Sequence, residues 1–164
     1  MVVEALSNLI LRRRLKRAES EIDRETIRTL DSINIRYSLE GLSPTQPIIT
    51  DDERLSNLIK IIEEDKELVE LDKKYGAVFN YALHQGERTS FGGFGVNLFY
   101  SMGRLVIYDW NDYSGEYKEL PANIQTIKKY RPDFNSQILI NAIVSATERD
   151  NFIKWYADFR LDKD

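Results

Sequence analysis

Apolar residues recur at helical spacing through most of the first eighty positions. Leu11, Leu15, Ala18 and Ile22 form a stripe at alternating intervals of four and three, which predicts an amphipathic helix from residue 2 onward. From Ser20 the pattern renews. Glu21, Asp23 and Glu25 suit the first turn of a helix, and Ile27, Leu30, Ile33 and Tyr37 share one of its faces. One long helix fits, and so do two helices with a break between Ser20 and Asp23, because no glycine or proline lies in the first forty residues. Gly41, Ser43, Pro44 and Pro47 then mark a linker. It divides a helical N-terminal arm, residues 1–40, from an α+β domain, residues 48–164.

Thr50 with Glu53 three residues on has the form of a capping box, and acids fill the turn between them. Leu55, Leu58, Ile59 and Ile62 make the buried stripe of the helix that follows. Glu63-Glu64-Asp65 interrupts it. Leu68, Leu71, Tyr75, Val78, Phe79 and Ala82 resume the helical period across Gly76, predicting a helix that runs to Ala82. The competing reading ends the helix at Gly76 and makes residues 77–84 a strand, with Phe79, Tyr81 and Leu83 on one face. Gly86 to Gly95 reads as a loop.

The period then changes from helical to alternating. Val96 to Ser101 and Arg104 to Trp110 read as two strands joined by Met102-Gly103. Their register sets Tyr100 against Leu105, Leu98 against Ile107 and Val96 against Asp109, on the core side. Glu116 to Leu120 suits a short third strand, and Pro121 opens a helix through Tyr130. Gln137 to Ser145 fits a strand or a helix. Phe152, Trp155, Tyr156 and Phe159 define a last amphipathic helix. The expected fold class is α+β: a helical N-terminal half, then a small antiparallel sheet on the 96–110 hairpin, flanked by C-terminal helices.

Composition narrows the chemistry. The 164 residues carry a net charge of −4, so the chain as a whole is no polyanion binder. The positive charge gathers at Arg12, Arg13, Arg14, Lys16 and Arg17, and the negative charge between residues 51 and 75. No cysteine is present, which excludes disulfides and thiolate metal sites, and the single histidine, His84, excludes a histidine-rich centre. No cofactor or metal is expected. No window of eighteen apolar residues exists, and the basic cluster follows the first apolar run instead of preceding it, which is the reverse of a signal peptide. These features predict a cytoplasmic protein.

Five stretches could carry chemistry. Gly92-Gly93-Phe94-Gly95 lacks the spacing of a dinucleotide fingerprint and the lysine of a phosphate loop, leaving a glycine-rich segment that displays Phe91 and Phe94. His84 and Arg88, with Asp109 or Asp112 folded near, offer a general acid–base set for a small hydrolase or nuclease. Residues 109–115 resemble a calcium loop only in composition, since the glycine comes one residue late and the closing glutamate is missing. The basic cluster from Arg12 to Arg17 suits phosphates, nucleic acid or anionic lipid. The outward face of the hairpin carries Phe99, Arg104, Tyr108 and Trp110, with Tyr113 and Tyr117 following. Tyrosine, tryptophan and arginine are the residue types that dominate protein interfaces.

Chemistry-bearing residues are scarce and aromatics gather on one hairpin. The leading expectation is therefore a non-enzymatic interaction module: an adaptor, inhibitor or immunity-type regulatory factor of phage or bacterial kind. It would bind another protein through Phe91, Phe94, Phe99, Arg104, Tyr108, Trp110 and Tyr113, with its N-terminal helix available for self-association. Hydrolysis through His84 is the first alternative and nucleic-acid binding through the basic cluster the second.

Overall fold

A computed structural model of the chain describes residues 2–42, 49–76, 79–89, 92–111 and 116–161. The first forty residues form two helices, α1 (Val2–Glu21) and α2 (Arg24–Leu42). Asp23 decides the break. Its carboxylate accepts the Thr26 backbone N–H at 2.7 Å, so it caps α2 and closes off α1 without glycine or proline. Helix α3 (Asp51–Glu63) begins as its sequence predicts, with Thr50 accepting the Glu53 N–H at 3.2 Å. Helix α4 (Lys66–Tyr75) follows after one turn.

The reading of a helix that continues past Gly76 to Ala82 is corrected here, since α4 ends at Tyr75. Gly76 has φ +82°, left-handed territory in which a helix cannot continue. Strand β1 (Phe79–Thr89) begins three residues later, with Phe79 and Leu83 buried on one face. The glycine-rich loop is corrected with it. β1 runs on to Thr89 and pairs with β2 (Gly92–Ser101), Thr89 against Gly92, Arg88 against Gly93 and Gln85 against Gly95. The glycines belong to a long hairpin whose ladder is made by backbone, which needs no side chains.

β3 (Arg104–Asn111) and β4 (Glu116–Leu120) complete an antiparallel meander in the order β1-β2-β3-β4. The β2–β3 register is the predicted one: Tyr100 meets Leu105, Leu98 meets Ile107 and Val96 meets Asp109. Met102 and Gly103 take φ 55° and 77°, the pair of positive angles that a tight hairpin turn requires. Three helices follow, α5 (Ile124–Tyr130), α6 (Ser136–Thr147) and α7 (Arg149–Phe159). Pro121 precedes α5 instead of opening it, because Asn123 takes the cap and accepts from Thr126 N. The architecture is α+β, with helices first, the sheet in the middle and helices last.

One hydrophobic cluster joins these elements. The inner sheet residues Leu98, Tyr100, Leu105 and Ile107 share it with Leu30, Ile33 and Tyr37 of α2, Leu55 and Ile62 of α3, and Leu139 and Ile143 of α6. Gly41 meets α6 so closely that an added Cβ would lie 3.1–3.2 Å from Gln137 and Ile140.

A polar node lies at the edge of this core. Asp65 is only 7% exposed, yet its two carboxylate oxygens accept five hydrogen bonds. The Arg36 guanidinium donates from 2.9 and 3.2 Å and the Tyr37 hydroxyl from 2.8 Å. The backbone N–H groups of Glu67 and Leu68 donate from 3.0 and 3.2 Å, which makes Asp65 the N-cap of α4. Burial alone would raise the pKa of this acid. The bonds from Arg36, Tyr37 and Leu68 together outweigh burial and hold it below the usual carboxylate range. The Tyr37 hydroxyl is pushed the other way, by burial first and by its bond to Asp65 second. Asp72 ties α4 to the sheet, accepting the Gly103 N–H at 3.3 Å.

Three outcomes are expected. Asp65→Ala removes a cap and leaves the Tyr37 hydroxyl buried without its acceptor, so urea unfolding should show a loss of about 3 kcal/mol. Tyr37→Phe should cost about 1 kcal/mol by the same assay. Tyr100 is fully buried, and among the described residues its hydroxyl has no hydrogen-bond partner. Tyr100→Phe should therefore raise stability, by about 1 kcal/mol, and a lowered urea midpoint would count against that reading.

A fourth outcome concerns acid. Asp23 is held at about 2, first by its bond to Lys74 and then by the Thr26 N–H. A carboxylate whose folded pKa is depressed stabilises the fold above its unfolded value, near 3.8. That contribution fades as pH falls toward about 2. Asp65 acts in the same direction. Thermal unfolding followed between these limits should show a falling midpoint, and Asp23→Asn should flatten the fall.

Candidate functional site

Alternation along three strands builds the site. With Leu98, Leu105 and Ile107 turned inward, the intervening residues turn outward: Phe99 on β2, Arg104, Val106, Tyr108 and Trp110 on β3, and Tyr117 on β4. Register sets Phe99 opposite Val106 and Trp110 opposite Tyr117. The rings then touch in sequence. Phe99 and Tyr108 meet edge-on with centroids 5.4 Å apart, and Tyr108 and Tyr117 at 5.3 Å. Tyr117 and Trp110 lie tilted at 5.8 Å. Such contacts are favourable beyond their buried area and fix each ring through its neighbours.

Val106 shows how well ordered this face is. It lies outside the main core cluster, yet is only 3% exposed. Its neighbours on the face are Phe99 across the ladder, Tyr108 two residues on and Arg104 two before. Arg104 reaches across to Glu119 of β4 at 2.8 Å. The outer face is thus a second, smaller apolar layer. Its rim stays open to solvent: Tyr117 is 63% exposed and Trp110 36%.

A groove of about 950 Å³ continues from Phe99 past the free edge of β1. Phe79, Tyr81, Ile138, Trp155 and Phe159 line it with Phe99, and the Arg160 guanidinium lies 5.3 Å over the Trp155 ring. Helix α7 therefore borders the aromatic face at its β1 side.

The remaining predicted residues scatter. His84 is exposed on β1, beside a bulge that turns Leu83 into the core. It pairs with Val96, which in turn pairs with Asp109, so a whole strand separates the histidine from that aspartate. Two strand spacings amount to roughly 10 Å. Arg88 lies on β1 opposite Gly93 and Phe94 lies on β2. Phe91, Asp112 and Tyr113 fall outside the described residues. Arg12, Arg13, Arg14, Lys16 and Arg17 lie on α1, far along the chain from the sheet, and Arg17 pairs with Glu21 at 3.1 Å. None of these cations pairs with α3 or α4 among the described residues.

Acids and tyrosines with perturbed pKa values can mark active sites. Here Asp65, Tyr37 and Asp23 are each consumed by links between helices, and Asp65 and Tyr37 are closed to solvent. Among the described residues no group of three or more histidines, cysteines or acids is placed to hold a metal, and no helix is long and apolar enough to cross a membrane. What the outer face offers is ordered ring surface with hydroxyl and indole groups at its rim.

Sequence reasoning located Phe99, Tyr108 and Trp110 through the hairpin period. It named Tyr117 only as following that face, and the pairing of β4 with β3 sets Tyr117 opposite Trp110 and onto it. The α6–α7 wall of the groove had no sequence signal, since it depends on how those helices pack. Comparison of the chain with protein-family models, with curated proteins and with solved structures finds no match.

Proposed function

We propose that the protein is a protein-binding module, an adaptor, inhibitor or immunity-type regulatory factor that works in the cytoplasm and uses the outer face of its sheet. One observation carries the reading. Four aromatic side chains from three strands touch in series on the side of the sheet away from the core. Their mutual contacts hold the rings in place before any partner arrives, so little side-chain entropy is lost on binding. Two of the rings are tyrosines and one is a tryptophan, residues that combine a large apolar body with a hydrogen-bonding rim. Arg104, already paired with Glu119, supplies charge at the border. A protein surface is a better match than a small molecule, because the rings present a broad face and the groove beside them is open.

Binding is favoured over hydrolysis by the strand that stands between His84 and Asp109. General acid–base partners need to approach within hydrogen-bond reach.

The test uses the full chain as bait in extracts of its native host, followed by affinity measurement with the captured partner. Trp110→Ala with Tyr117→Ala should lower that affinity by about 30-fold or more, as interface anchors do. The thermal midpoint should hold nearly constant, since both rings are substantially exposed. Undiminished capture by the double variant would sink the proposal, and unfolding of the variant would place the rings in the core instead.

A further inference from the structure

Among the described residues the first half of α1 has no packing partner. From Ala5 to Arg13 every residue is exposed, including Leu6 at 54%, Leu9 at 45%, Ile10 at 55% and Leu11 at 41%. Contact with the body begins only at Leu15, and Ala18 and Ile22 are the first buried positions. Stepping about 100° per residue around the helix sorts the side chains into two opposite faces. Leu11, Leu15, Ala18 and Ile22 point toward α7. Leu6, Leu9, Arg13, Lys16 and Arg17 point away from it. The outward face is therefore aliphatic in its first half and cationic in its second. Of its cations only Arg17 is ion-paired among the described residues.

Leaving these aliphatic side chains in water forgoes the stabilisation that burial gives. The chemistry of what covers them can be read from the charge. Five cations in six residues adjoin the aliphatic turns, while the rest of the chain is acidic. We propose that α1 docks the protein on an anionic lipid surface. The aliphatic turns enter the boundary between headgroups and acyl chains, and Arg12 to Arg17 form a collar at the phosphates.

Two other occupants fit less well. A second copy paired antiparallel through the aliphatic turns would offer one carboxylate, Glu4, to five cations. A nucleic-acid backbone would meet the cations but leave Leu6 and Leu9 in water. The proposal uses a surface separate from the aromatic face and stands or falls independently of it.

The experiment is co-sedimentation of the full chain with vesicles of phosphatidylcholine containing about one quarter phosphatidylglycerol. Binding is expected at low salt, weaker on raising salt to about 0.5 M, and nearly absent on phosphatidylcholine alone. Arg12→Gln, Arg13→Gln and Lys16→Gln together should lower partitioning on the order of 100-fold, at about fivefold per cation. Leu6→Ser with Leu9→Ser should weaken it while keeping all five cations. All five side chains are exposed, so circular dichroism and the thermal midpoint should be unchanged in both variants. No binding to anionic vesicles at low salt would overturn the proposal. So would vesicle binding indifferent to both variants, duplex DNA binding without vesicle binding, or a dimer dissolved by the leucine variant that never engages vesicles.

Discussion

The carboxylate of Asp65 is the constraint on which the helical half depends. Two helices converge on this single side chain, α2 through Arg36 and Tyr37 and α4 through the N–H groups of its second and third residues, while the Asp65 backbone N–H closes the turn that ends α3. A buried acid is costly unless its lone pairs are all met. Here five donors meet them, and the donors come from segments far apart in sequence. The bonds form together only when α2 lies in one register against the α3–α4 corner. Non-directional packing of leucines would allow several such registers, whereas the acid admits one. Asp72 extends the same logic to the sheet by taking the N–H of Gly103 at the β2–β3 turn.

The sheet uses its two faces differently. Its inner face completes the core begun by the helices, so its residues are aliphatic and fully enclosed. Its outer face has no such enclosure and instead stabilises itself by ring contacts across β2, β3 and β4. That self-sufficiency suits a binding surface, because the rings need neither a helix above them nor a rearrangement to be presented. The same separation of duties appears in α1. Its second half belongs to the fold through Ala18 and Ile22, and its first half carries aliphatic and cationic groups that the fold does not use.

Much of this was legible in residue order. The Thr50 cap, the Leu55–Ile62 stripe and the β2–β3 register all rest on interactions between near neighbours, and each appears where the residue pattern placed it. Phe99, Tyr108 and Trp110 were recoverable for the same reason, since alternation in one hairpin assigns faces without further information. The misreadings came where two periods coexist. Leu68 to Ala82 satisfies a helical spacing, but only the backbone conformation at Gly76 reveals that the helix has ended. The glycines from 92 to 95 look like a loop because they contribute nothing to a pattern, yet their backbone groups pair with β1.

Sequence by itself determined the α+β class, the start of α3, the central hairpin and the outward aromatics, because caps, turns and alternation are local. Tertiary structure decided where α4 stops, that β1 joins the sheet and that Asp65 ties α2 to α4. It also decided that α1 leaves its first half uncovered. Those outcomes depend on backbone pairing and burial between segments dozens of residues apart, and no spacing along the chain encodes which of them will meet.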